Sequence, residues 1–322
     1  MKAERTKSRA WLVVRLVLTA AMLAVVLPRL HPSTLFPSHH LRSVLWMLGA
    51  LAFSVAAVIL SVVRWQQMLH ALELRARLPA LVSHTLAGLF VSNFLPTTVG
   101  GDVLRASRLA AENGHRRISA ASVVLERLTG FVGLPLISLV ALAANPGLLR
   151  LGTASHITVV LSLGSLGALG VLLVVAAHPS LGERLGARRW MGLALTVHLG
   201  LVRLRRHPAL AVAVMTAALS YQLSVVMAAW MAAHALGLPV GWTAMMAFIP
   251  VVSIAQALPL SIGGLGLREG ALVVLLRPLG VATGQAVGLG LLLYGMSITV
   301  SLLGAPAFLV GARRPTPVPA SA

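Results

Sequence analysis

Two stretches of the sequence, 163 residues apart, decide the fold that we expect for this chain. Residues 92–109 read SNFLPTTVGGDVLRASRL, and residues 255–272 read AQALPLSIGGLGLREGAL. Aligned without gaps, the two stretches share seven identical positions, including a proline, a pair of glycines and an arginine. Asn93 also aligns with Gln256, which is a chemically similar pair. This match indicates an internal repeat.

Each of these stretches interrupts an apolar segment, at about 81–110 and 243–280. The proline ends a helix, because it lacks an amide donor and clashes with the preceding turn. The glycines allow backbone conformations closed to other residues and permit close approach of a ligand. The helix that follows presents free amide groups, a natural seat for phosphate or carboxylate. We therefore predict a re-entrant helical hairpin in each stretch.

Outside these stretches, apolar runs long enough to cross a hydrocarbon core recur along the chain, since about 20 residues suffice. They are Trp11–Leu30, Val44–Val63, Ala120–Ala144, Ile157–Ala177, Leu210–Leu236 and Gly284–Val310. Hydrophobic residues make up 58% of the 322 residues and charged residues only 10%. Soluble domains carry about 25% charged residues. The polar surface that is missing here predicts a protein that faces lipid.

The charge balance of 26 basic to 7 acidic residues predicts an orientation in the membrane rather than binding to nucleic acid. The arginines fall in short loops and at the chain ends, where orientation signals lie. The loop holding Arg184–Arg206 is the most basic and is expected to be cytoplasmic, as are both termini. Both ends of 81–110 then lie inside, and both ends of 243–280 lie outside. We expect six crossings in the cell (cytoplasmic) membrane.

Three crossings and one hairpin in each half place the second half upside down relative to the first. The predicted fold is thus an all-α polytopic membrane protein built as an inverted repeat, the plan of many secondary transporters. A single transmembrane domain fills 1–322, with repeat 1 at about 10–145 and repeat 2 at about 156–312. Residues 313–322 are expected to form a disordered tail.

Ionisable side chains inside a bilayer are costly and therefore mark functional candidates. The predicted substrate-binding residues combine such charges with the hairpin glycines and amides. They are Asn93, Gly100, Gly101, Asp102, Arg105, Glu126, Arg127, Gln256, Gly263, Gly264, Arg268 and Glu269. The arginines would contact an anionic headgroup, and the carboxylates would orient them or pair with a cationic headgroup. Alternatively, these charges form buried ion pairs that hold the hairpins to the bundle.

Signals for other kinds of site are weak. The chain has no cysteine, and its one histidine pair, His39–His40, has no carboxylate near it in sequence. The run Gly263–Gly266 lacks the Lys-Ser/Thr of a phosphate-binding loop. We therefore expect no metal site, no cofactor and no catalytic residue. A membrane-embedded transferase with Asp102, Glu126 or Glu269 as base stays an alternative.

Three motifs recur at the candidate positions: Asn93–Pro96 with Gly100–Asp102 and Arg105, then Glu126–Arg127, then Leu258–Glu269. Together they resemble the flippase-like transmembrane domain of lysylphosphatidylglycerol synthases. The resemblance covers nearly the whole chain. In two-part members of that family, this domain is followed by a soluble aminoacyl-transferase domain and is held to move the lipid product between leaflets. The resemblance implies that this chain, ending at Ala322, is the translocating part without the synthase.

The function that we expect is translocation of a polar-headgroup lipid or lipid-linked molecule, with anionic or zwitterionic phospholipids as partners. Arg105 and Arg268 would contact the phosphate from opposed hairpin tips. An alternative is a non-catalytic membrane partner that docks a synthase or glycosyltransferase through the basic 184–206 loop. No nucleic acid is expected to bind.

Overall fold

A computed structural model describes residues 41–94, 100–176, 178, 192–257 and 264–306. These residues form ten α-helices and two short 3-10 helices, and within the described ranges there is no strand. The α-helices are α1 (Leu41–Ala71), α2 (Leu78–Phe94), α3 (Gly100–Asn113), α4 (Arg116–Ala144), α5 (Thr153–Ala176), α6 (Gly192–Arg206), α7 (Pro208–Ala235), α8 (Trp242–Ala257), α9 (Leu267–Leu276) and α10 (Thr283–Leu302). The all-helical prediction is confirmed.

Five of these helices, α1, α4, α5, α7 and α10, are long and apolar enough to cross a membrane. They coincide with five of the six predicted spans, and the first predicted span, Trp11–Leu30, lies outside the described residues. Large apolar side chains such as Leu45 on α1 and Val171 on α5 point away from the protein. An apolar outer surface of this kind requires lipid rather than water around it. The chain is therefore a multi-pass membrane protein.

Small residues let the helices approach closely, as is typical of helix pairs in membranes. The most extensive pairing is that of α1 with α7, where a Cβ on Gly49 would lie 2.8 Å from Met231 Sδ. Ala229 and Ala232 of α7 are fully buried in the core. Helix α4 is tied to α8 because the Ser138 hydroxyl donates to the Ala247 carbonyl at 2.6 Å.

Each interrupted stretch forms two short helices that pack on each other. In the first, α2 and α3 run antiparallel: Gly88 lies against Gly101 near the connection, and His84 Nε2 lies 3.0 Å from Glu112 Oε1 further away. In the second, α8 and α9 are in contact. The connecting residues 95–99 and 258–263 lie outside the described residues, as does the tail at 313–322.

Two helices include residues outside the predicted spans. Residues 192–206, within the segment predicted as a basic cytoplasmic loop, form helix α6. Helix α1 continues to Ala71, beyond the predicted span Val44–Val63, so Arg64 lies inside it. Hydropathy places the end of a span at the first charged residue, whereas a helix continues wherever that side chain finds a buried partner. The repeat boundaries at 10–145 and 156–312 stay predictions.

Candidate functional site

A cavity of about 150 Å³ lies where α1, α2, α3, α4 and α7 meet. Its walls combine charged groups, hydroxyls and glycines with a few apolar side chains. The lining residues are Val58, Ser61, Arg64, Thr85, Gly88, Leu89, Ser92, Gly101, Asp102, Arg105, Glu126, Arg127 and Tyr221. Arg64 lies seven residues before the end of α1, and Glu126 ten residues after the start of α4. At 1.5 Å per residue, both are about 10–15 Å inside their helices.

Glu126 is the centre of the charged cluster and is only 1% exposed. Its Oε1 accepts from Arg64 Nε at 3.1 Å and also contacts Arg64 Nη2. Its Oε2 accepts from Arg105 Nη2 at 2.5 Å. Both arginines are buried, at 4% and 6% exposure. One carboxylate thus joins two guanidinium groups from different helices, which fixes α1 and α3 against α4.

Asp102 supplies the second carboxylate of the cluster. It lies in the first turn of α3, where the helix dipole favours negative charge. Arg127 binds it as a fork, with Nε 2.9 Å from Oδ2 and Nη2 3.0 Å from Oδ1. Arg105 Nη2 lies 3.1 Å from Asp102 Oδ1 and so bridges the two carboxylates. Asp102 and Arg105, three residues apart on one face of α3, therefore form an ion pair.

The two buried guanidinium groups are also stacked on aromatic rings. Arg64 Cζ lies 4.8 Å from the centre of the Tyr221 ring, and Arg105 Cζ lies 5.0 Å from that of Trp65. Trp65 is itself fixed, because its Nε1 donates to Ser122 Oγ at 2.9 Å. Such stacking stabilises a cation where water is excluded. The arginines are therefore held in place before any ligand arrives.

Not every donor in the cluster has a partner. Arg64 Nη1 and Arg105 Nε are buried without a hydrogen bond, and so is Thr85 Oγ1. A buried donor without an acceptor costs free energy that a bound acceptor would recover. The cavity therefore suits a ligand with several acceptor oxygens.

Glycines make this arrangement possible at two points. A Cβ on Gly101 would overlap Ser92 Oγ and the Gly88 carbonyl oxygen, so α3 reaches α2 only because that atom is missing. A Cβ on Gly130 would lie 2.8 Å from Arg64 Nη1. Of the predicted glycines, Gly101 lines the cavity, Gly100 begins α3, and Gly263 lies outside the described residues.

Arg268 and Glu269 form a separate cluster against α10 and do not line this cavity. Glu269 is fully buried, and its Oε2 accepts from the Gly266 amide at 2.6 Å. Its Oε1 accepts from Arg268 Nε at 3.2 Å, and Arg268 Cζ lies 5.1 Å from the centre of the Tyr294 ring. These contacts hold the first turn of α9 to α10.

The remaining predicted amides lie beside this second cluster. Asn93 Nδ2 donates to the Ser297 carbonyl at 3.2 Å, and Tyr294 Oη lies 3.5 Å from the Asn93 carbonyl. Asn93, at the end of α2, therefore contacts the same face of α10 as Arg268. Gln256 packs on Gly264, where a Cβ would lie 2.7 Å from Gln256 Oε1.

Five of the twelve predicted residues thus share the cavity lining: Gly101, Asp102, Arg105, Glu126 and Arg127. Sequence reasoning missed Arg64, which supplies two of the contacts to Glu126. Its signal was available, since it is a charged residue two turns inside a predominantly apolar helix. Among the described residues, no group of three or more His, Asp or Glu could hold a metal ion.

Comparison with known proteins identifies a family. Residues 12–304 match the model of the family described as the lysylphosphatidylglycerol synthase TM region. No curated protein and no solved structure matches the chain.

Proposed function

The chain belongs to the lysylphosphatidylglycerol synthase TM-region family, and from that premise we propose that it moves a polar-headgroup phospholipid or lipid-linked molecule between the leaflets of the cytoplasmic membrane. The main support is the cationic cavity in which Arg64, Arg105 and Arg127 surround two carboxylates. Ionisable groups are expensive at membrane depth and are kept there for substrate pathways. The headgroup would occupy this cavity while the acyl chains stay in lipid.

The proposed mechanism is alternating access between two inverted halves. Its support is the repeat of seven identities between 92–109 and 255–272 and the short helix pairs α2–α3 and α8–α9 that these stretches form. We propose that both pairs are re-entrant hairpins entering from opposite sides, with both chain termini cytoplasmic. Rocking of one half against the other would expose the cavity to each leaflet in turn.

We further propose that the lipid moves without covalent change. All four carboxylate oxygens of Asp102 and Glu126 face guanidinium nitrogens, so both carboxylates are engaged in ion pairs. In the second cluster Glu269 is bound to Gly266 and Arg268. A general base has to accept a proton, and protonation of any of these carboxylates would break its ion pair with an arginine.

The test is lipid movement in vesicles that carry the purified protein and acyl-labelled phospholipid. Addition of a membrane-impermeant quencher destroys only the outer-leaflet label unless lipids cross. Wild-type protein is expected to let the quencher reach the whole label. Arg105→Gln is expected to slow this movement strongly. Arg150→Gln, which changes an exposed arginine outside the cavity lining, is expected to act like wild type.

Two outcomes would redirect the interpretation. If folded wild-type protein moves none of the lipids offered, translocation is wrong, and co-purification with a synthase or glycosyltransferase becomes the next experiment. If mass spectrometry shows a lipid whose covalent structure has changed, the chain is a transferase.

A further inference from the structure

We infer that the cavity opens sideways into the bilayer at Arg127, where the phosphate of a phospholipid binds first while the acyl chains stay beside α3 and α4. This inference rests on the proposed translocation and names the route by which the lipid reaches the site. It is drawn from the depth, the exposure and the neighbours of the Arg127 side chain.

Arg127 lies at membrane depth and is nevertheless exposed. It is eleven residues after the start of α4, which places it about 16 Å from that end of the helix. Because α4 is long and apolar enough to cross a membrane, this position lies within a hydrocarbon core of about 30 Å. The Arg127 side chain is 54% exposed, against 7% for Arg105. A guanidinium group exposed at such a depth is costly unless a polar partner reaches it there.

Apolar side chains are exposed beside Arg127. Val124, three residues earlier on the same face of α4, is exposed, and so is Val103, which follows Asp102 on α3. Helices α3 and α4 meet at this point, because Asp102 accepts two hydrogen bonds from Arg127. Exposed valines at this depth suit acyl chains rather than water. The mouth of the cavity therefore faces hydrocarbon.

Further guanidinium groups lie deeper in the cavity and can receive the phosphate in turn. Asp102 Oδ1 lies 3.0 Å from Arg127 Nη2 and 3.1 Å from Arg105 Nη2, so the exposed and the buried arginine are neighbours. Arg105 Nε and Arg64 Nη1 are buried without an acceptor, and phosphate oxygens accept charge-assisted hydrogen bonds from guanidinium groups. Phosphate is common to all phospholipid headgroups, so this first contact does not distinguish between them.

The first experiment uses the lack of cysteine in the sequence, because a single introduced cysteine can then be labelled without background. A fluorophore is attached to Val124→Cys in phosphatidylcholine vesicles that contain a small fraction of a lipid with brominated acyl chains, which quench on contact. The brominated lipid is either phosphatidylcholine or diacylglycerol, which has the same chains and no phosphate. We expect phosphatidylcholine to quench about threefold more strongly than diacylglycerol. Val171→Cys, on the lipid-facing side of α5, is the matched control, where both are expected to quench equally.

Substitutions of Arg127 in the labelled protein test whether its guanidinium group causes that difference. Arg127→Gln removes the charge, so we expect the two brominated lipids to quench equally. Arg127→Lys keeps the charge and is expected to keep most of the difference. Arg150→Gln, outside the cavity lining, is expected to keep all of it. Excess inorganic phosphate is added in parallel and should leave the difference unchanged, because the bound phosphate belongs to a lipid.

A second experiment tests whether the lipids that move pass through this mouth. Val124→Trp narrows the mouth with a larger apolar side chain and keeps every charge, so we expect acyl-labelled phospholipid to move severalfold more slowly in vesicles. Val171→Trp places the same side chain on the lipid-facing side of α5 and is expected to act like wild type.

The outcomes separate this inference from the proposed function. Equal quenching by both lipids at Val124→Cys, or no quenching there because protein covers the site, would overturn the lateral opening even if lipids move. An unchanged difference in Arg127→Gln would overturn the phosphate contact, and its loss in excess inorganic phosphate would overturn lipid as the source. Wild-type speed of movement in Val124→Trp would overturn the route. A difference that depends on Arg127, in a protein that moves no lipid, would support the opening and refute translocation.

Discussion

Replacement of Glu126 by Gln probes the charged cluster most directly, because the two side chains have nearly the same shape. The carboxylate of Glu126 accepts from Arg64 and Arg105 through both oxygens, and all three side chains are buried. An amide keeps one acceptor oxygen but turns two N–H donors towards a guanidinium group that is itself only a donor. Glu126→Gln therefore leaves Arg64 without a carboxylate partner, and it leaves Arg105 with only Asp102, which Arg127 also binds.

The expected loss of stability follows from that geometry. Removing one partner of a buried ion pair destabilises a protein by about 3–5 kcal/mol, because an uncompensated charge stays buried. An exposed pair contributes roughly 0–1 kcal/mol. Glu73→Gln is the matched control, since the Glu73 side chain is 70% exposed and pairs with Arg203. The two Glu-to-Gln changes should thus differ by several kcal/mol.

The assay is equilibrium unfolding in mixed micelles with a rising fraction of sodium dodecyl sulfate, followed by Trp fluorescence and far-UV circular dichroism. Adding Arg64→Gln to Glu126→Gln should restore part of the lost free energy of unfolding, because it removes one of the stranded charges. The reasoning is refuted if Glu126→Gln unfolds within about 0.5 kcal/mol of Glu73→Gln, the spread typical of surface substitutions.

Three further substitutions test the packing of the short helices by the same unfolding assay. Gly101→Ala is expected to lower the free energy of unfolding by about 1–3 kcal/mol through overpacking. The control Gly164→Ala has open space around its Cβ and should be neutral or stabilising by up to about 1 kcal/mol. Equal effects of the two substitutions would contradict the close contact of α2 and α3. Gly266→Ala should lower the free energy of unfolding by about 1–2 kcal/mol, because Gly266 has a φ of 80° that other residues adopt poorly. An unchanged unfolding midpoint would argue against that backbone conformation. Asn93→Ala should cost about 1 kcal/mol through loss of its hydrogen bonds to Ser297, and wild-type stability would show that those bonds do not form.

Much of the fold was accessible from the sequence, because membrane spanning is a matter of local composition. A run of about 20 apolar residues satisfies its backbone internally as a helix and its side chains in lipid, wherever the rest of the chain lies. Five predicted spans accordingly reappear as long apolar helices. The breaks at the paired glycines were equally local, since proline and glycine end helices by their own covalent structure.

The composition of the site was only partly accessible. Asp102 and Arg105 are three residues apart on one helix, so their pairing follows from helical geometry. The prediction that Arg105 and Arg268 would share one ligand has no support in the cavity lining, which includes Arg105 and not Arg268. The two arginines occupy equivalent positions in the aligned sequence stretches, but they do not lie in the same cavity.

Local sequence was therefore enough to predict the lipid-facing helical class, the positions of the broken segments and the charged residues within apolar stretches. Which of those charged residues contact one another depends on how the helices pack. Arg64 reaches Glu126 across 62 positions in the chain, because α1 and α4 pack side by side and Gly130 leaves room for its guanidinium group. Contacts of that separation depend on how helices are arranged in space, and no local pattern of residues encodes the distance between two guanidinium groups and one carboxylate.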